Sequence, residues 1–423
     1  MAAPLLALLL LFVAGAPIAL ALGMAALPTL IDRGIPLIAV PQVVFDSLDS
    51  FALMALPLYV LAGRLMQHGG IAERLVTFAI AMVGWLPGGL AAAVVLTSML
   101  FATISGSSAA TAAAIGSVLV PQLERQDYPR PFSASVVASS GELGVILPPS
   151  VPMVIYAVIT GGSITQLFIG GLLPGLLIGA SLIATTTVVA ALRGYGVRPP
   201  TTLAAWAREV ARATRRALLS LAMPVIILGG IYGGIFTATE AAVVAVAYAL
   251  LIGVVVYREI ALRDVGRIFS DAAVTAAVVM IIVGFAATFA FALNLIGAPR
   301  AIAGAIAAVS DDPVVFLLLV NVFLLVVGMF METFAAIIIL APILAPVAQS
   351  FGIDPVHFGI VMIVNLAVGM VTPPVGVNLF IACGVAKIRM EQLMRPLALF
   401  LAVLLANLMA ITYLPVLSLA LIR

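Results

Sequence analysis

SSGELGVILPPSVPMVIY, residues 139–156, and NLAVGMVTPPVGVNLFIA, residues 365–382, are two apolar runs that each carry glycine ahead of a Pro-Pro pair. Proline has no backbone N–H and its ring crowds the preceding turn, so two in succession break a helix. The helix is expected to unwind at Pro148-Pro149 and again at Pro373-Pro374. Unwinding leaves carbonyls free for a cation and a half-helix N-terminus for an anion.

The two runs lie in the same register. A shift of 225 positions carries Pro148-Pro149 onto Pro373-Pro374, Gly144 onto Gly369, Pro121 onto Pro346, Ser107 onto Glu332 and Ser140 onto Asn365. This predicts two structural repeats, 1–190 and 217–423, joined by an Arg-rich connector over 191–216.

Composition sets the medium. Of 423 residues, 64% are hydrophobic and only 9% charged, against about 25% charged in ordinary soluble proteins. The mean hydropathy is +1.31. Runs such as Ala217–Ile235 and Ala272–Leu293 match the roughly 20 residues that cross a bilayer. The chain is predicted to be an all-α polytopic membrane protein, and soluble or disulfide-scaffold folds are excluded. A single cysteine, Cys383, and two distant histidines, His68 and His357, leave no cysteine or histidine metal cluster. No cofactor, transition metal or nucleic acid is expected. The first apolar stretch, Pro4–Met24, lacks a basic leader and reads as one retained helix.

Charge gives the orientation. Arg193, Arg198, Arg208, Arg212, Arg215 and Arg216 cluster against one acid, Glu209, and place the connector in the cytoplasm. Residues 122–131 carry Arg125 and Arg130, whereas the matching 347–357 carries Asp354 and His357 and no Arg or Lys. The first loop is thus expected inside and the second outside, which makes the repeats inverted. Inverted repeats with broken helices are an architecture of secondary transporters, with sites at the breaks.

Each repeat also holds a short double run. FATISGSSAATAAAIG, residues 101–116, turns polar after some 15 apolar residues, too early for a full span. A re-entrant hairpin over about 88–121 is expected, ahead of a broken helix at about 132–160. The second repeat predicts a hairpin at about 314–346, its tip at Gly328–Thr333, ahead of a broken helix at about 357–386. Non-helical backbone at mid-depth must be buried in protein or line a wet cavity. Hard cations favour oxygen ligands. One hard-cation site, which the resemblance given below implies is for sodium, is expected at Ser105, Ser107 and carbonyls around Gly144, and another at Gly328, Glu332, Thr333, Gly369 and Thr372. The anionic substrate is expected at Ser108, Pro149, Ser150, Pro374 and Asn378. Glu332, the lone acid between Asp312 and Asp354, reads as an ion ligand or as a helix cap. Glu240, beside Thr237 and Thr239, reads as a capping residue. No intramembrane arginine stands out as a carboxylate clamp.

These residues resemble a known family. SGSSAATAAAIGSVLVP, GELGVILPPS with Tyr156 behind it, GGIFTATEAA, GMFMETFAAIIILAPILAP, NLAVGMVTPPVGVNLFIA and LPLYVLAGRLMQHGGIAERL are similar to the large membrane subunit of tripartite ATP-independent periplasmic (TRAP) transporters. The resemblance runs from about residue 10 to the C-terminus. It implies a sodium-coupled, elevator-type importer of the ion-transporter superfamily in a bacterial or archaeal inner membrane. It further implies an organic-acid substrate (a C4-dicarboxylate, sialic acid or similar carboxylate) delivered by a periplasmic binding protein, and a small four-helix membrane subunit as partner. A stand-alone sodium/dicarboxylate symporter would carry similar tips and breaks. An intramembrane hydrolase is disfavoured, since Ser105–Ser108 has no His or Asp pair near it, and a passive channel lacks its ring of charge.

Overall fold

The computed structural model describes residues 2–196, 202–307 and 311–422. It is helical throughout: α1 (Ala2–Val13), α2 (Ile18–Asp32), α3 (Ala39–Leu48), α4 (Ala55–His68), α5 (Ile71–Val83), α6 (Gly89–Ser105), α7 (Ser108–Arg125), α8 (Arg130–Gly141), α9 (Leu143–Ile146), α10 (Val151–Thr160) and α11 (Ile164–Arg193) come first. Then follow α12 (Leu203–Tyr232), α13 (Ala238–Leu250, continued as a π-helical turn to Val256), α14 (Leu262–Leu295), α15 (Ala298–Ala307), α16 (Pro313–Phe330), α17 (Thr333–Ser350), α18 (Pro355–Gly369), α19 (Val377–Ala386), α20 (Met390–Tyr413) and α21 (Val416–Leu419). Among the described residues, 7 helices are long and apolar enough to cross a membrane, or 8 if the bent pair of α8–α9 with α10 counts as one span.

Element ends recur at the spacing of the sequence register. Ser105 and Phe330 end α6 and α16, Ser108 and Thr333 begin α7 and α17, Arg125 and Ser350 end them, and Arg130 and Pro355 begin α8 and α18. Each pair is 225 residues apart. Beyond the second break the register slips by one residue, α10 beginning at Val151 and α19 at Val377.

Several boundaries differ from the sequence expectation. Pro4–Met24 is two helices, because Gly15 adopts a left-handed φ of 77° and Pro17 precedes α2. The Arg-rich connector is no loop over most of its length. Thr202 caps α12 by accepting from the Ala205 N–H at 3.3 Å, and Arg208, Arg212, Arg215 and Arg216 continue directly into the span. Alanine, leucine and arginine are strong helix formers, so the charge run extends the span instead of ending it. Arg198 lies outside the described residues. Pro121 and Pro346 do not end their helices, which run on to Arg125 and Ser350. A single proline in a packed helix deletes one backbone bond and is tolerated. The last apolar run, expected over about 396–421, is α20 followed by the short α21.

Each Pro-Pro pair falls between two helices. The first break bends α8–α9 against α10 by 40°; the second spans Met370 to Gly376. Both Pro-Pro bonds are cis. Each break is tied to its own tip by a backbone bond, Val151 N–H to the Gly106 carbonyl at 3.4 Å and Gly376 N–H to the Met329 carbonyl at 2.9 Å.

Candidate functional site

The first tip is a two-residue turn. Gly106 takes φ 61°, in the left-handed region that suits glycine. Ser107 then caps α7, its Oγ accepting from the Ala110 N–H at 3.4 Å. The hydroxyls of Ser105 and Thr111 lie 2.7 Å apart, and Thr111 donates to the Ser107 carbonyl at 2.8 Å. Gly144, on α9, packs so closely on this turn that an added Cβ would collide with the Ser107 carbonyl and Thr111 Oγ1. Ser105, Ser107 and Gly144 are thus brought together, with Thr111 as a fourth member that the residue-level reading did not select.

The second tip repeats this with a different side chain. Glu332 occupies the N-cap position of α17, yet its carboxylate makes no capping bond. Gly328 and Gly369 touch through their backbones, and a Cβ on either would meet the other's Cα. Thr372 donates to the Val368 carbonyl at 2.8 Å. At the outer end of α13 the expected capping box is present. Thr237 N–H donates to Glu240 Oε2 at 2.8 Å and Glu240 N–H to Thr237 Oγ1 at 3.2 Å.

The two tips meet. Ser108 and Thr333, the first residues of α7 and α17, both donate to the sulfur of Met370, at 3.6 Å and 3.1 Å. Met370 caps the end of α18, and its carbonyl accepts from the Asn378 N–H at 3.2 Å. One cavity of about 660 Å³ is lined by Ser105–Ala110 of the first tip and by Glu332, Thr333 and Phe334 of the second. Arg64 and Gln67 of α4 and Thr275 of α14 also line it. No intramembrane arginine stands out in the sequence as a carboxylate clamp, and Arg64 is the arginine that lines this cavity. Arg64 sits in LPLYVLAGRLMQH, where a charge a few residues from the helix end reads as an interfacial residue.

Of the expected substrate residues, only Ser108 lines this cavity. Ser150 is fully buried and donates to the Val145 carbonyl at 2.6 Å. The Pro149 carbonyl packs near Gly106, and Pro374 is exposed. Asn378 points elsewhere, donating to Glu142 Oε1 at 2.6 Å. Glu142 and Asn378 are both fully buried. Their second oxygens, Oε2 and Oδ1, have no partner among the described residues. Glu142 was legible in principle, because it is the lone acid between Asp127 and Glu209, the same signal that singled out Glu332.

A hard cation would find hydroxyl and carbonyl oxygens at each tip, and an anion would find the start of two 18-residue helices at one cavity. Among the described residues no group of three or more His, Cys, Asp or Glu could hold a metal.

Comparison with known proteins shows the family. The family described as "Tripartite ATP-independent periplasmic transporter, DctM component" matches residues 5–417. The C4-dicarboxylate TRAP transporter large permease protein DctM of Pseudomonas aeruginosa is 42% identical, over 89% of this chain and 87% of its own. The isethionate TRAP transporter permease protein DctMQ of Oleidesulfovibrio alaskensis is 45% identical over 95% of this chain, which spans 63% of that longer relative. The sialic acid large permease SiaM of Vibrio cholerae is 39% identical over 90% of this chain and 89% of its own. In fold, the chain is similar to the YdaH transporter of Alcanivorax borkumensis, with a TM-score of 0.64 at 16% identity, over 90% of this chain and 89% of that one.

Proposed function

The chain belongs to the DctM component family of tripartite ATP-independent periplasmic transporters, and we propose that it imports an organic acid against its gradient by coupling to sodium. As a large permease it is a multi-pass transport protein and not an enzyme. In this reading a periplasmic binding protein delivers the acid, a C4-dicarboxylate, sialic acid or similar carboxylate, and a small four-helix subunit sits beside the permease in the inner membrane.

The observation that carries the proposal is the convergence of both tips on one cavity. Two segments related by a 225-residue register, each with its own break, line the same cavity and meet at the sulfur of Met370. Arg125 and Arg130 flank the turn after the first hairpin, and the arginines of α12 extend the connector helix. The positive-inside rule sets both in the cytoplasm and the turn after α17 outside, so the hairpins enter from opposite faces as inverted repeats. One sodium ion sits at Ser105, Ser107 and the carbonyls near Gly144. A second sits at the Gly328–Thr333 tip with Gly369 and Thr372, where its charge offsets Glu332. The acid rests between them, beside Ser108. Hairpins and broken helices then slide as an elevator against the remaining helices.

Uptake into proteoliposomes holding the permease, its small subunit and a cognate binding protein tests this. Replacing external sodium by choline should abolish accumulation of the acid. Equal uptake in choline would refute the sodium coupling, and full uptake without the binding protein would favour a stand-alone symporter.

A further inference from the structure

The cavity has a charge that its proposed chemistry has not yet used. Arg64 lines it from α4, one helical turn before Gln67. A guanidinium stays ionised at any physiological pH and presents a planar fork that matches a carboxylate. Within an apolar chain such a group needs a partner. Its one side-chain bond among the described residues is long, Nη2 to Thr275 Oγ1 at 3.5 Å. Glu332 lines the same cavity, but no ion pair within 4.0 Å joins the two among the described residues. The guanidinium therefore keeps most of its donors for whatever enters.

The lining carries two sets of polar residues. Ser107, Ser108 and Thr333 stand at the starts of α7 and α17. Arg64 and Gln67 come from α4 and Thr275 from α14. A volume of about 660 Å³ holds a small organic acid with room for water. We propose that Arg64 binds one carboxylate of a two-ended acid, a dicarboxylate or a hydroxy-carboxylate, whose other end is held by the hydroxyls of the tips. The inference rests on the transport reading above and names its substrate class.

The bland role for Arg64 is an interfacial one. α4 ends at His68, and His68 lies beside Glu259, Asp264 and Arg267 of the charged segment after α13. An arginine one turn inward can reach that surface with its long stem. An interfacial arginine anchors the helix whatever the substrate, whereas a substrate ligand discriminates between acids. The two roles therefore separate by measurement.

Binding of succinamate, which has one carboxylate, and of the neutral diamide succinamide to the purified permease in sodium provides the test. Wild-type protein should hold succinamate about tenfold more tightly than succinamide, the difference a bidentate charged contact confers. Arg64→Gln should bring that ratio close to one while leaving succinamide affinity in place. Arg64→Lys, which keeps the charge and loses the fork, should fall between the two and guards against a Gln variant that does not fold. An indifferent wild-type protein, a loss of affinity for both ligands alike, or an unchanged ratio in the variants would each overturn the assignment. Failure of the transport reading shows separately, as sodium-independent uptake by wild-type protein.

Discussion

Glu142 and Asn378 join the two halves of the chain through a fully buried side-chain hydrogen bond. They stand 236 positions apart in sequence and 2.6 Å apart in space, one at the end of α8 and the other in the first turn of α19. A buried polar group left without its partner costs about 1–3 kcal/mol, more than the net worth of the bond itself. Asn378→Ala and Glu142→Ala should therefore each lower the melting temperature in detergent. The double variant should lose less than the sum, because it removes the orphaned group as well. Strict additivity would show that the contact contributes nothing. At this scale the sequence was legible only in part. The Thr237–Glu240 box could be read, since both partners lie within one turn. Glu142 needs Asn378 to be interpreted and Arg64 needs the hairpin tips. Neither partner is local, and the pattern along the chain says nothing about what faces what.

At the scale of elements the sequence was far more informative, because proline, glycine and apolar run length act through the backbone. The helices are interrupted at Pro148-Pro149 and at Pro373-Pro374, and four helix boundaries repeat at a spacing of 225 residues. The misses share one cause. Pro121, Pro346 and the arginines of α12 were read as stops, yet packing and good helix formers carry the helices past them. The breaks survive because they are reinforced from outside, by bonds from Val151 to Gly106 and from Gly376 to Met329. Replacing both Pro148 and Pro149 by Ala restores two donors and removes a penalty of about 3 kcal/mol per proline in a straight helix. Thermal stability should hold or rise while sodium-driven uptake drops roughly tenfold or more, as binding groups leave their places. Wild-type uptake by the double variant would make the break incidental to transport.

For the whole molecule, the sequence announced a membrane protein built from two matched halves but could not show that the halves share a site. That is a property of tertiary packing, where α7 and α17 arrive at one cavity and Met370 takes a hydroxyl from each. Two tips on one cavity must be exposed together and hidden together. A sodium ion bound preferentially by one state must shift both at once, since a ligand moves an equilibrium by its differential affinity. The direct measurement is labelling of single cysteines at Ser108 and at Thr333, each in a Cys383→Ala background, with membrane-impermeant thiol reagents applied to right-side-out and to everted vesicles. Both positions should react from the same side under any one condition, and sodium should change the two reactivities in parallel. Reaction from opposite sides, or rates indifferent to sodium, would contradict a single shared site that alternates its access.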